Sequence, residues 1–109
     1  MTIREKILNS VGRKVAFKYP AGEKHRSGTL LSRSVVHLNP RDRGVPYWGV
    51  VDLIKFKNDG RRWIRIGYYR VVKGKLRWAS QTTASFPIAQ WKGLFKEARK
   101  QSWFRDALK

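Results

Sequence analysis

Apolar residues recur along this chain with two different periods, and the change of period marks its elements. Near the N-terminus Ile3, Ile7, Leu8 and Val11 fall at i, i+4, i+5 and i+8, the spacing of one helical face. Thr2 and Glu5 precede them with the spacing of a capping box, in which the threonine oxygen accepts from a free N–H of the first turn. Gly12 suits the far end, so a helix is expected over 2–11. From 14 to 19 the pattern alternates, with Val15, Phe17 and Tyr19 on one side and Lys14, Ala16 and Lys18 on the other. That is the signature of a half-buried strand, which Pro20-Ala21-Gly22 closes. A polar connection follows, then an apolar stretch over 29–38. Its alternation slips around Ser32 to Ser34, which predicts a bulge or bend. Residues 39–46 hold Pro40, Pro46, Gly44 and the run Arg41-Asp42-Arg43 and read as a mobile loop.

The middle of the chain carries the strongest strand signals. Residues 47–57 are rich in valine, isoleucine, leucine and aromatics, which suits a pleated surface. Asn58-Asp59-Gly60 predicts a hairpin turn, with 61–72 as the partner strand. Lys73-Gly74 makes a second tight turn, and 75–83 returns. With the two earlier strands this makes an antiparallel sheet that must twist. Pro87 opens a second helix, with Ser85 as its cap. Ile88, Trp91, Leu94, Phe95 and Ala98 form its apolar stripe, and Lys92, Lys96, Arg99 and Lys100 its polar side. The tail over 102–109 keeps Trp103, Phe104 and Leu108 and predicts a further helical turn. The expected fold is α+β. A strongly twisted antiparallel sheet of about five strands, either a curved sheet or a partial SH3-like barrel, is flanked by an N-terminal and a C-terminal helix. Residues 1–109 are expected to form one nucleic-acid-binding domain.

Charge changes the picture more than composition does. Lysine and arginine number 25 against 7 aspartates and glutamates, a formal charge of +18. Self-repulsion at that level works against a compact chain. A polyanion relieves it, and counterions released from the phosphates favour the complex. A hydrophobic fraction of 41% argues for a folded chain rather than a disordered one. The absence of cysteine excludes disulfides, thiolate zinc sites and cysteine nucleophiles, and fits a reducing compartment. No apolar run approaches the roughly 18 residues of a membrane span, and the first residues lack the apolar stretch of a signal peptide. A cytoplasmic protein with no membrane partner and no cofactor is expected.

The strand over 61–72 holds the most suggestive chemistry. Ile64, Ile66 and Tyr68 share one side and read as core; Trp63, Arg65 and Tyr69 share the other and read as the ligand face. Rings that stack on bases beside cations that follow phosphates are what a single strand requires. Lys75 and Arg77 extend this face from the neighbouring strand, with Trp78 on its opposite side. Arg61, Arg62 and Lys73 stand at the hairpin tips, and Arg41 and Arg43 in the loop are expected to grip phosphates. A one-residue shift of phase would invert the strand and make Tyr68 and Arg70 the ligand-facing pair. His25 and His37, with Lys24 and Asp52, offer groups for acid–base work, but no spacing brings them together. Asp52, an acid inside an apolar strand, reads as the partner of an arginine. There is no phosphate-binding glycine loop, no metal-ligand cluster and no GxSxG, so no enzymatic activity is expected.

The strand Val51-Asp52-Leu53-Ile54-Lys55-Phe56 with its turn at Asn58-Asp59-Gly60, then Ile64-Arg65-Ile66-Gly67-Tyr68-Tyr69, then Ser85-Phe86-Pro87-Ile88-Ala89-Gln90-Trp91 running to Leu94 resembles a known pattern. It is similar to the single-stranded DNA-binding domain of the transcriptional coactivator family positive cofactor four. The similarity covers 51–98, about half the chain, and the first 46 residues have no counterpart. The resemblance implies a curved sheet, a homodimer built partly by the Trp91 helix, and single-strand binding across concave faces. Together with the charge it makes nucleic-acid binding, to DNA rather than RNA, the leading expectation. A protein-interaction module built on a small SH3-like barrel is the alternative, and a small nuclease a more distant one.

Overall fold

Local capping and turn chemistry set the first and last elements of the sheet region. The computed structural model describes residues 1–17, 26–57, 60–79 and 87–109. Its elements in chain order are α1 (Ile3–Leu8), β1 (Lys14–Phe17), β2 (Arg26–His37), β3 (Tyr47–Phe56), β4 (Arg62–Val72), β5 (Lys75–Trp78), α2 (Ile88–Ala98) and α3 (Ser102–Ala107). The strands form a five-stranded antiparallel sheet in the order β1-β2-β3-β4-β5. The fold class is the α+β arrangement expected. The proposed cap Ser85, the polar connection and part of the first hairpin turn lie outside the described residues.

The chain divides into two compact units, Met1–Arg33 with Asp52–Arg65, and Ser34–Val51 with Ile66–Lys109. In the first, Thr2 caps α1: its side-chain oxygen accepts from the Glu5 N–H at 3.1 Å, and its hydroxyl donates to Glu5 Oε1 at 3.1 Å. The helix stops at Leu8 rather than at Val11. Beyond it Gly12, at φ +89°, donates its N–H to the Leu30 carbonyl at 2.6 Å, so the strand ladder captures the chain before another helical turn forms. β1 then pairs with β2 from Lys14↔Thr29 to Phe17↔Arg26. Ile7, Leu30, Leu53, Ile54 and Phe56 are buried. Gly28 permits close approach of strands here, since a Cβ on it would lie 2.8 Å from the Lys55 carbonyl oxygen.

The second unit packs Leu38, Val51, Leu94, Ala98 and Phe104 into one buried cluster, flanked by Val36, Tyr47, Tyr68, Trp91, Phe95 and Trp103. Of the helical stripe read from the sequence, Leu94 and Ala98 are buried, Trp91 and Phe95 are half-buried against the same cluster, and Ile88 is 75% exposed. The tail forms α3 and buries Phe104, as its retained aromatics predicted. β4 and β5 close over a two-residue turn in which Lys73 has φ +51° and Gly74 +74°. Positive φ at both positions marks the hairpin turn whose twist matches its strands. The resulting register is Tyr69↔Trp78, Arg70↔Arg77, Val71↔Leu76 and Val72↔Lys75.

Candidate nucleic-acid interface

The central strand carries a buried acid, and that acid determines which arginines remain available to a ligand. Asp52 is fully buried. Arg33 donates from Nε to Asp52 Oδ1 at 2.7 Å and from an Nη to Oδ2 at 3.0 Å, while its other Nη reaches the Ile7 carbonyl at 2.9 Å. Arg65 donates to Oδ2 from Nε at 3.2 Å and from an Nη at 2.9 Å. Asp52 is thus an ion-pair residue, the role its position in an apolar strand suggested. Arg65, expected on the ligand face, spends these donors on Asp52, and its side chain is only 20% exposed.

The alternation of β4 also differs from the expected one. With Arg65 turned toward the buried acid, its neighbours point the other way: Ile64 is 37% exposed and Ile66 47%. They are not core. Tyr68 does face a core, that of the second unit, where it meets Tyr47 edge-on at 5.8 Å between ring centroids. Trp63 is 42% exposed and packs the rest of its ring edge-on against buried Phe56. Tyr69 is half-buried and lies 4.9 Å from Trp78, centroid to centroid. Gly67 makes room for that indole, because any Cβ there would collide with the Trp78 ring.

Register separates rings from cations on the hairpin. Tyr69 stands opposite Trp78, whereas Arg77 stands opposite Arg70 and Lys75 opposite Val72. Lys75 and Arg77 therefore share a side with Arg70, not with Tyr69, which corrects the mixed face expected from the sequence. Arg70, Arg77, Lys75 and Lys73 are all exposed. Among the described residues none of these four has an ion-pair partner. Like charges directly across an antiparallel pair are destabilising, so this side of the hairpin favours an anion. Arg70, named from the sequence only under the inverted phase, belongs to it. A two-residue turn at Lys73-Gly74 fixes the pairing 70↔77, and counting outward from that turn would have found it.

The remaining candidates are placed individually. Arg61 and Arg62 are exposed beside Trp63 in the first unit. Arg41 and Arg43 are exposed in a loop that Asn39 clasps: its amide donates to the Val45 carbonyl at 3.0 Å, and its oxygen accepts from the Tyr47 N–H at 2.7 Å. Lys92, Lys96, Arg99 and Lys100 are exposed along α2 and just beyond it, where Lys100 pairs with Glu97 at 2.8 Å. His37 stacks on Trp48 with centroids 4.5 Å apart and planes 10° from parallel. Burial holds its imidazole below the usual histidine range. His25, its proposed acid–base companion, lies outside the described residues, as does Lys24. Among the described residues no cluster of metal-ligating side chains occurs, and no helix is long and apolar enough to cross a membrane. Comparisons of the chain with protein-family models, with curated proteins and with solved structures find no match.

Proposed function

We propose that this protein binds nucleic acid, and single-stranded DNA in preference to duplex, with the exposed side of the β4–β5 hairpin as its phosphate-gripping surface. The observation that carries the reading is the pairing of Arg70 with Arg77, flanked by Lys75 and Lys73, with no carboxylate partner among the described residues. The sequence of the second unit holds twelve lysines and arginines against Asp42, Glu97 and Asp106, so the surplus cannot be neutralised locally. A phosphate backbone supplies the missing charge along a line, and each neutralised phosphate releases counterions. The preference for single strands rests on the exposed ring of Trp63 beside Arg61 and Arg62, a place for a base to stack, and on the resemblance over 51–98. A chain without cysteine suits the reducing cytoplasm, where such a ligand is met.

The test is fluorescence anisotropy with labelled single-stranded and duplex DNA and RNA of equal length at several salt concentrations. Affinity should fall by orders of magnitude between about 50 and 200 mM salt. Arg70→Glu with Arg77→Glu should weaken binding further and flatten the salt slope by about one unit for each lost phosphate contact. Binding that ignores salt, or survives the double reversal unchanged, would overturn the proposal.

A further inference from the structure

Three cations at α2 take no part in the hairpin surface. Lys92, Lys96 and its C-cap Arg99 recur at i, i+4 and i+7, the spacing of neighbours on one helical face, and all three are exposed. Leu94 and Ala98 hold the other side of the helix in the buried cluster, so the cationic face is turned outward. Among the described residues none of the three has an ion-pair partner. The one acid of α2, Glu97, pairs with Lys100 at 2.8 Å. Arg105 adds a fourth cation at the end of the stripe, because it donates from Nη1 to the Arg99 carbonyl at 2.7 Å and is exposed. Cations near a helix C-terminus complement its dipole, which accounts for Arg99 and Arg105. That does not account for Lys92, which stands in the middle of α2, and like charges at i and i+4 oppose the helix. The stripe is therefore better explained by an anion outside the chain than by the stability of α2.

We propose that this outward face of α2 is a second phosphate-binding surface, and that one nucleic-acid strand passes from the β4–β5 hairpin on to it. The proposal rests on the nucleic-acid reading and deepens it. Tyr68 of β4 packs against the cluster that holds Leu94 and Ala98. Arg70 lies two residues further along the same strand and so on the same side of the sheet as Tyr68, with Arg77 opposite it. Hairpin cations and α2 thus occupy one side of the sheet. Lys92 and Arg99 lie about 10 Å apart along the helix axis, and a stacked strand rises about 3.4 Å per nucleotide, so the three cations meet about three successive phosphates.

The test compares two triple variants of the full chain. Lys92→Gln, Lys96→Gln and Arg99→Gln empties the stripe while keeping good helix formers. Lys6→Gln, Arg13→Gln and Lys14→Gln removes the same charge from other exposed positions. Each is titrated with an oligothymidylate of roughly twenty nucleotides, long enough to follow both surfaces at the rise per nucleotide above. The α2 variant should bind at least tenfold more weakly than the parent and lose about two units of salt slope, at roughly 0.7 for each single-strand phosphate contact. The control should lose less than threefold. Equal losses in the two variants, or an α2 variant that matches the parent, overturn the proposal and leave the hairpin surface standing; a parent that binds no strand rejects the wider reading. Calorimetric stoichiometry tests the single path. One strand per chain in parent and variant supports it, and two strands falling to one overturns it. Vesicles containing phosphatidylserine form a further arm: if the α2 variant loses the vesicles and keeps the strand, the stripe serves a lipid surface and the proposal fails. Melting temperatures accompany each titration. Should the triple variant not fold, Lys92→Gln alone decides the matter, with an expected weakening of about threefold against none if the stripe is only a solvated face.

Discussion

Asp52 is fully buried and receives two guanidinium groups, and its replacement removes the carboxylate from both. The Arg33 side chain is 1% exposed and cannot turn out to solvent without leaving its bond to the Ile7 carbonyl. Asp52→Ala should therefore cost about 3–5 kcal/mol, the range for breaking one side of a buried pair. Urea denaturation measures this, and a loss below about 1 kcal/mol, the value of an exposed pair, would show that the site readily hydrates. Arg65→Gln should lower stability while leaving the salt slope of nucleic-acid binding intact. Lys73 poses the opposite case. It holds φ +51°, a conformation that costs a side-chain-bearing residue about 1–2 kcal/mol and that asparagine tolerates better. Lys73→Asn should raise the melting temperature and at the same time reduce the salt slope by about one unit. A variant that gains stability without losing slope would remove Lys73 from the ligand surface.

At the scale of elements, β4 is the strand whose two sides do different work along its length. Trp63 and Tyr69 have the same parity, yet only Trp63 is 42% exposed, while Tyr69 is packed on Trp78. Trp63→Ala should weaken single-strand binding by about 1–3 kcal/mol, the value of one stacked base. Tyr69→Ala should instead destabilise the fold by about 3–5 kcal/mol, as removal of a packed aromatic does. Thermal melting and single-strand affinity, measured on both variants, separate the two. If Tyr69→Ala changes affinity and not melting, the ring is a stacking platform after all.

For the whole molecule, charge and burial act in the same direction. Leu94 and Ala98, which could have formed a helix-mediated contact with a second copy, are fully buried in their own chain. A formal charge of +18 repels a second copy at low salt. Burial of Leu94 and Ala98, together with the charge, favours a monomer over the homodimer that the resemblance to positive cofactor four implies. Sedimentation at moderate salt is expected to give a mass near 12.8 kDa, and a mass of twice that would restore the dimer.

Local chemistry carried much of the architecture. The capping box at Thr2 and Glu5, the turn at Lys73-Gly74, Pro87 ahead of α2 and the apolar stripe through Leu94 and Ala98 each act within a few residues, so the sequence alone determines them. The same holds for the pairing of Arg70 with Arg77, which follows from the turn by counting. Which side of a strand faces a core is a different kind of question. In β3 the successive residues Asp52, Leu53 and Ile54 are all buried, so alternation gives no answer there. In β4 the side is decided by Asp52, distant in sequence, which draws Arg65 inward and leaves Ile64 and Ile66 exposed. The side of the sheet that Arg70 shares with α2 is likewise decided by Tyr68 and Leu94, which lie far apart in sequence and pack in one cluster. Period and propensity describe a strand relative to itself, and only tertiary packing determines what stands on either side of it.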